Sequence, residues 1–529
     1  MFALKSFASE LAERPNTALL AGILRGVERE ALRVDQQGRL STRPHPAGLG
    51  SALTHPYITT DFSEALLEFI TPPTHRVDDL LAQLDLIHRA AVSEMGDELL
   101  WTHSMPCETP VDADIPVARY GNSHIGRMKT AYRNGLGHRY GRTMQTVAGV
   151  HYNFSLPDAF WAYLYNKEST LLSFESFKNR SYFSLIRNFR RHYWLLILLF
   201  GASPLMSPSF AAGRPHNLQL YPGERALYRP LATSLRMGDM GYQSHAQENL
   251  KVCYNKRRTY IKTLNHAILS PHEAYKELPL VDGEGVYQQL SYGLLQIENE
   301  FYSPIRPKRS AKHGETALTA LHNRGVEYLE VRCLDVNPDS ELGISADQIA
   351  VIDAFLLYCA LSESPSSDSD EFDLILRNQR KVVNRGRDPA LVLEHPHIGE
   401  IKAKEWASTL LEVLRLPAAL LDNACECNRH LRAIEDQQRA IEDYSQLPSA
   451  RILSEFEQSG GGYSEYVLAK AKAHKASLQS RPLSTEQQQR YKNIAIESVA
   501  EQAEIEAAST GEFRDFLHRY YEQYQALNE

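Results

Sequence analysis

The sequence predicts an α+β fold, and three observations carry that expectation. Short runs that alternate apolar and charged residues recur through the first 360 or so positions, the period of a strand with one face covered. Between them lie apolar patterns of helical period. Past Asp370 the composition shifts to Glu, Gln, Lys and Ala, and strand patterns cease. The chain is therefore divided into an α+β region over 1–365 and a mostly helical C-terminal region over 366–529 that packs on it.

Residues 5–23 suit a helix packing through Leu11, Leu19 and Leu20. Residues 26–35 suit a strand, although so short a run does not exclude a helix. Gly38 supplies a turn, and Pro44, Pro46 and Gly48 mark a loop. Leu66 to Ile70 is a strand closed by Thr71-Pro72-Pro73. Residues 76–95 form a helix with Val77, Leu80, Leu84, Ile87 and Met95 as its apolar stripe. Residues 100–126 are loop-like, Tyr132 to Tyr140 helical, and Val147 to Leu156 a strand. A helical stretch over 178–200 leads into an irregular region from Gly201 to about Gly241, and loops of that length usually serve a function. Val326 to Val336 is the clearest strand, 347–361 an apolar helix, and Ser362 to Asp370 an exposed linker. Two helical stretches, 402–445 and 464–523, are separated by Gly460-Gly461-Gly462.

With 529 residues, 43% of them hydrophobic, the chain can bury a large core. A net charge of -8 argues against a general nucleic-acid surface but leaves room for a local basic funnel for phosphates. Six cysteines, at 107, 253, 333, 359, 425 and 427, are too sparse for a disulfide scaffold and suit a reducing compartment. Cys425 and Cys427 are the only close pair. With no second pair nearby, they are expected to be ordinary helix residues and not zinc ligands. The N-terminus lacks a long apolar region. Trp194 to Phe200 is far short of the roughly 20 residues that span a bilayer, and it follows Arg187, Arg190 and Arg191. A cytoplasmic protein without nucleic-acid or membrane partners is expected.

Chemistry is concentrated in a few acids. In a strand, Glu28 and Glu30 share a face. Side by side they repel, and one takes up a proton unless a cation lies between them. The alternative is a solvated face with Arg29 at the surface. Glu68 sits among Leu66, Leu67, Phe69 and Ile70, so it needs a metal ion or a buried arginine. Asp61 lies just before this run. His151, inside Val150 to Phe154, suits a hydrogen-bonded core residue or a contact with nucleotide, since imidazole takes magnesium less readily than carboxylate does. Tyr328, Glu330 and Arg332 share a face opposite Leu329, Val331 and Cys333. Glu330 could hold a metal and Arg332 a phosphoryl oxygen, or the two could belong to a cross-strand salt bridge. Arg306-Pro307-Lys308-Arg309 and Arg236 could balance the acids or hold a carboxylate or phosphate. Acids in such settings point to an enzyme handling a polyanion with divalent cations, ATP with magnesium being the candidate. No P-loop, Gly-x-Gly-x-x-Gly, serine-hydrolase or zinc-protease motif occurs, so ATP would be bound in another way.

These strings resemble the proteobacterial glutamate–cysteine ligases (gamma-glutamylcysteine synthetases) of the type 1 family. The likeness rests on Arg25 to Glu30, Leu49 to His55, Thr60 to Pro72, Gln145 to Asn153, Phe200 to Pro204, Leu294 to Glu300, Pro304 to Arg309 and Glu327 to Arg332. It continues more weakly at Ser449 to Leu453. The resemblance implies a glutamine synthetase-like curved antiparallel sheet forming an active-site funnel, with surrounding helices. It implies ATP-dependent joining of the γ-carboxylate of L-glutamate to the amine of L-cysteine, the step that begins glutathione synthesis. By the same resemblance Glu28, Glu30, Asp61, Glu68, His151 and Glu330 match metal and nucleotide ligands, and Arg332 the phosphate-binding arginine. Tyr132, Arg133, Gln145, Arg236, Tyr242 and Tyr302 match positions lining the amino acid pockets.

ATP and Mg²⁺, with Mn²⁺ as the alternative ion, are the implied cofactors, and a monomer is the default expectation. The implied reaction runs through a γ-glutamyl phosphate, with Glu330 and Arg332 at the reacting charge and Glu68 or a neighbour helping to take a proton from the amine. Two rivals stay open at this point. One is a γ-glutamyl ligase with a different acceptor amine. The other is a non-enzymatic helical interaction protein, which makes poor sense of acids embedded at 68 and 330.

Overall fold

β1, Leu24–Val34, is the spine of the computed structural model, which describes residues 10–223, 225–241, 245–248 and 250–528. Both of its faces are covered. Glu28 and Glu30 point to one side, and Arg25, Arg29 and Arg33, each almost inaccessible, point to the other. Arg29 is thus no surface residue: it packs on the His88 ring nitrogen at 3.0 Å.

Antiparallel strands extend the sheet from β1 on both sides. They are β2 (Ile58–Thr60), β3 (Leu66–Ile70), β5 (Val150–Ser155), β9 (Ile305–Lys308) and β10 (Tyr328–Leu334). Together with the two-residue β4 (Leu99–Leu100), which pairs with the end of β1, they make an open seven-stranded sheet in the order β2-β3-β1-β5-β10-β9. Pairing sets Glu30 opposite Glu68, Glu28 opposite His151, and Glu330 opposite both Asn153 and Arg306. These residues therefore share one face of the sheet. The β5–β10 register shifts between Val331 and Leu334, and such an irregularity at Arg332 re-aims a side chain.

The opposite face is closed by helices Val77–Glu94, Phe174–His192 and Ala346–Leu361. The last is buried almost all round, and its one buried carboxylate, Asp353, accepts from Arg25 Nε and Tyr152 Oη, both at 2.6 Å. Arg33 donates to Glu98 at 2.6 Å and to the carbonyls of Arg43, Pro44 and Glu64. From residue 366 on, helices Ala403–Cys425, Arg429–Glu442, Tyr463–Gln479 and Phe513–Ala526 pack onto the α+β part, and one hydrophobic core runs from Leu11 to Tyr524.

Several elements differ from expectation. Of the helix expected over 5–23, residues 5–9 lie outside the described residues. The rest is broken into Glu10–Ala12, Arg14–Thr17 and Ala18–Gly22, because Pro15 offers no N–H and the Thr17 hydroxyl turns to the carbonyls of Leu11 and Glu13. The helix expected from Tyr132 begins at His124, where Ser123 caps it by accepting from Gly126 N. The stretch 178–200 is two helices that part at Tyr193. The region after Gly201 holds a small sheet, β6 (Leu205–Met206), β7 (Gln219–Leu220) and β8 (Leu227–Tyr228), whose two-residue strands leave no periodicity to read. A hairpin of β11 (Val392–His395) and β12 (Gly399–Lys402) also escaped the pattern. The expected linker is pinned, since Arg187 donates to Ser364 and Pro365 carbonyls. No helix among the described residues is long and apolar enough to cross a membrane.

Arg33 anchors three separate loops through one buried fork. Arg33→Ala is expected to destabilise the protein by about 3–5 kcal/mol, since it leaves Glu98 buried and unpaired. Chemical denaturation followed by circular dichroism checks this, and a change below about 1 kcal/mol would mean that water reaches the Glu98 carboxylate.

Candidate functional site

The acid-bearing face of the sheet gathers side chains from five strands. Glu28 accepts from Asn153 Nδ2 at 2.7 Å and lies 3.1 Å from His151 Nδ1. Glu30 accepts from the Gly149 backbone N–H at 2.6 Å and lies 3.4 Å from His151 Nε2. Glu330 is ringed by cations, with Arg332 Nη1 at 3.3 Å, Lys308 Nζ at 3.4 Å and Arg306 Nη1 at 4.0 Å. Arg332 Nη1 is also 3.3 Å from His151 Nδ1, so it bridges the two halves of the cluster.

The electrostatics divide the site. Burial works against ionising Glu330, yet Lys308, Arg332, His151 and Arg306 hold its carboxyl well below the usual range. Glu28 is likewise lowered: burial opposes its charge most strongly, and the hydrogen bond with His151 together with the charges of His151 and Lys308 outweighs it. Glu68 goes the other way. Burial, then the charges of Glu28, Asp61 and Glu30, push it well above the usual carboxyl value, and Arg332 offsets only part of this. Glu30 is raised too, by burial and Asp61. One end of the cluster is therefore neutralised by protein cations, while at Glu30 and Glu68 the nearby positive groups, Arg332 among them, offset only part of the burial and negative charge.

That deficit is the test of whether a divalent cation fits. Oxygens of Glu28 and Glu330 and a nitrogen of His151 lie within 4.8 Å of one another. Glu330 Oε2 is buried without a hydrogen-bond partner. Hard oxygen donors with one imidazole suit magnesium or manganese. The donor set fits the ion.

Beyond Arg332 lies a cavity of about 160 Å³ lined by Arg190, Arg236, Tyr254, Tyr302, Arg332 and Arg380, among others. Helix Ser369–Arg385, past the expected boundary at 365, thus contributes to its wall. Gln145 Nε2 donates to Tyr302 Oη at 3.2 Å. Arg236 Nη2 donates to the Arg332 carbonyl at 3.1 Å, and its Nη1 is 3.8 Å from Asp335, which Ser203 and Ser234 hold in place. Gly149 is required here, because a Cβ at that position would come within 2.0 Å of Arg236 Nη2. Tyr132 shares the electrostatic environment of Glu300 and Tyr302.

Arg133 is held by the protein on two sides. Its Nε donates to the Asp61 carbonyl, and its guanidinium lies 4.5 Å over the Tyr120 ring, so it braces the segment that carries Asp61. Tyr242 lies outside the described residues. Sequence reasoning gave no role to Asn153 or Gly149, although both lie in the run Gln145 to Asn153. It missed Asp335, whose only signal was an acid at the end of the Glu327 to Arg332 strand.

The glutamate-cysteine ligase family model matches residues 8–382. A glutamate–cysteine ligase of Saccharophagus degradans is 54% identical over 525 residues, 99% of each chain. One of Azotobacter vinelandii is 48% identical over 513 residues, 96% of each. Among solved structures, the glutamate–cysteine ligase of Francisella tularensis in complex with AMP superposes with a TM-score of 0.89 at 36% identity, covering 96% of this chain and 98% of that one. A bifunctional glutathione synthetase of Pasteurella multocida, with a TM-score of 0.72 and 24% identity over 92% of this chain and 58% of its own, shares the fold.

Glu68 and Glu30 have folded-state pKa values above their unfolded ones, so what they add to stability is full below the ordinary carboxyl range and is lost as pH rises through the elevated values. Metal-free protein should therefore show a melting temperature that falls as pH climbs out of that range. Magnesium should flatten the slope, and Glu68→Gln should remove most of it. Scanning calorimetry against pH, with and without Mg²⁺, checks this, and a slope indifferent to the ion would place the cation elsewhere.

Proposed function

This chain belongs to the glutamate–cysteine ligase family, and we propose that the acid-and-arginine face of its main sheet is where it joins L-glutamate to L-cysteine. The reaction is ATP-dependent and forms γ-glutamylcysteine, the first step of glutathione biosynthesis. The observation that carries the site assignment is the position of Arg332, with one nitrogen between His151 and Glu330, at the seam of a cation-rich and a cation-poor half.

A carboxylate does not acylate an amine at neutral pH, because oxide is too poor a leaving group. Transfer of the γ-phosphoryl group of ATP to the glutamate γ-carboxylate makes an acyl phosphate. The cysteine amine attacks its carbonyl, the C–O bond breaks, and inorganic phosphate departs. The first step brings two anions together, so the barrier is mainly electrostatic. Arg332 supplies a fixed guanidinium there, kept charged and oriented by Glu330 and by the pull of Arg236 on its backbone carbonyl. Glu28, Glu30, Asp61, Glu68, His151 and Glu330 would hold magnesium, which supplies charge neutralisation for the phosphates when bound.

Tyr132, Arg133, Gln145, Arg236 and Tyr302 form the amino acid pockets in this reading, and Arg133 also braces the segment that carries Asp61. Glu68, whose environment favours its protonated form, is suited to exchange a proton with the attacking amine once cations lower that preference. The enzyme works as a monomer in the cytoplasm, where its free cysteines stay reduced. The region from 366 onward buttresses the catalytic part.

A phosphate-release assay over a panel of acceptor amino acids tests the substrate assignment. Cysteine should give the highest kcat/KM, and a better acceptor than cysteine would overturn it. Glu330→Gln is expected to lower kcat about a hundredfold or more and to weaken the dependence on magnesium. Arg332→Lys should be comparably severe, because a point charge does not copy the fork. Full activity of either variant at limiting magnesium would remove that residue from the site.

A further inference from the structure

The turn that joins helices Ala403–Cys425 and Arg429–Glu442 carries a second cluster of donor atoms, on the reverse side of the molecule from the sheet face described above. Helix Ala403–Cys425 ends at Glu426, the one non-glycine residue among those described with a left-handed backbone, at φ 52°. That turn folds Cys427 back over the helix end, where its N–H donates to the Asp422 carbonyl at 3.0 Å. Three side chains then converge. His430 Nδ1 is 2.8 Å from Asp422 Oδ1, Cys427 Sγ is 3.2 Å from the same oxygen, and the sulfur is 3.9 Å from His430 Nδ1.

The two shorter separations are hydrogen-bond distances, and shifts of a few tenths of an ångström bring all three to the spacing of metal ligands. Tetrahedral zinc with its usual bond lengths sets ligand atoms roughly 3.3–3.6 Å apart. The donors are also preorganised. The Asp422 carboxylate is fixed by the backbone N–H groups of His430 and Leu431, both at 2.9 Å.

The far side of the imidazole supplies an independent observation. His430 is 2% exposed, and its Nε2 is buried with no hydrogen-bond partner. That atom is 3.8 Å from Asp353 Oδ2, on the carboxylate that also takes Arg25 and Tyr152 from the back of the sheet. A histidine with one nitrogen among ligand atoms and the other directed at a carboxylate is the arrangement that orients metal-binding imidazoles. Cys427 is exposed, so an ion can enter from solvent.

We propose that Asp422, Cys427 and His430 bind a divalent cation of the zinc class, with a fourth position open to water. One thiolate, one imidazole and one carboxylate select a borderline ion such as zinc or cobalt over magnesium, which prefers all-oxygen surroundings. The site is distinct in ligand type from the oxygen-rich cluster on the front of the sheet. Through His430 and Asp353 it is mechanically joined to β1 and β5, so occupancy stiffens the packing behind the catalytic strands.

The test uses the intact enzyme with magnesium present to fill the oxygen-rich site. Titration with Co²⁺ should give one sulfur-to-cobalt charge-transfer band per chain, which Zn²⁺ displaces; ions bound by oxygen and nitrogen alone give none. Cys427→Ser should abolish the band and leave basal ligase turnover unchanged, while Cys425→Ser should keep both. Absence of the band in the parent protein, or its survival in Cys427→Ser, overturns the proposal and leaves Asp422 as a helix cap that locks His430. A measurement that needs no variant runs beside it. Zn²⁺ should slow alkylation of Cys427, read by peptide mass spectrometry, by about tenfold or more, and an unchanged rate equally overturns the site.

Discussion

A buried charge must find a counter-charge, and β1 shows how far that constraint organises this molecule. Eleven residues carry three arginines toward the back and two glutamates toward the front. The arginines find carboxylates, carbonyls or a ring nitrogen within the protein: Asp353 for Arg25, His88 for Arg29, and Glu98 for Arg33. The glutamates are answered only in part. His151, Asn153 and the Gly149 N–H satisfy some of their oxygens, while Glu68 and Asp61 add negative charge beside them. The back of the strand is thus closed by carboxylates at Arg25 and Arg33, while at Arg29 a ring nitrogen stands in and burial lowers the guanidinium pKa to about 10. The front is left open to ligands that bring positive charge, and to phosphates that come with it.

The same logic explains why the two ends of the front face differ. Lys308, Arg306 and Arg332 surround Glu330 and keep it ionised without help. Glu68, at the far side of β1, is offset only in part by Arg332 and is driven toward its neutral form. A nucleotide placed over the sheet would meet arginine at one end and an acid-rich bed at the other. Two carboxyl groups with opposed proton preferences on one face are also what acid–base chemistry needs. Gly149 completes the arrangement by leaving room for Arg236 to reach the Arg332 carbonyl.

Much of this was legible in the sequence because strand geometry is strict. Period two fixed which residues of β1, β3 and β10 share a face, and Glu68 among Leu66, Leu67, Phe69 and Ile70 could not be read as a surface acid. Register was not legible. Nothing local says that Glu30 faces Glu68 or that Glu330 faces Asn153, since both pairings join positions far apart in the chain. The partners of Arg133 were hidden for a related reason: its guanidinium meets a backbone carbonyl and an aromatic face, which no spacing reveals. The two-residue strands after Gly201 fall below the length at which a pattern exists. Resemblance to a family supplied roles where local physics left alternatives.

The C-terminal helices look like the least informative part of the chain, yet they bear on the site in two ways. Helix Ser369–Arg385 brings Arg380 to the cavity that Arg332 and Tyr302 line. The turn at Cys427 reaches the back of β1 through His430, Asp353 and Arg25. Asp353 sits between them: it holds an arginine and a tyrosine of the catalytic sheet and faces an imidazole from the helical region. A helix that only covered apolar surface would need no such carboxylate, because a leucine there would pack at less cost. A buried charge kept at this junction fixes the register between the sheet and the helices behind it. The strand that carries Glu28 and Glu30 is therefore held from behind by a residue more than three hundred positions away in sequence, which the helical region meets in turn through His430.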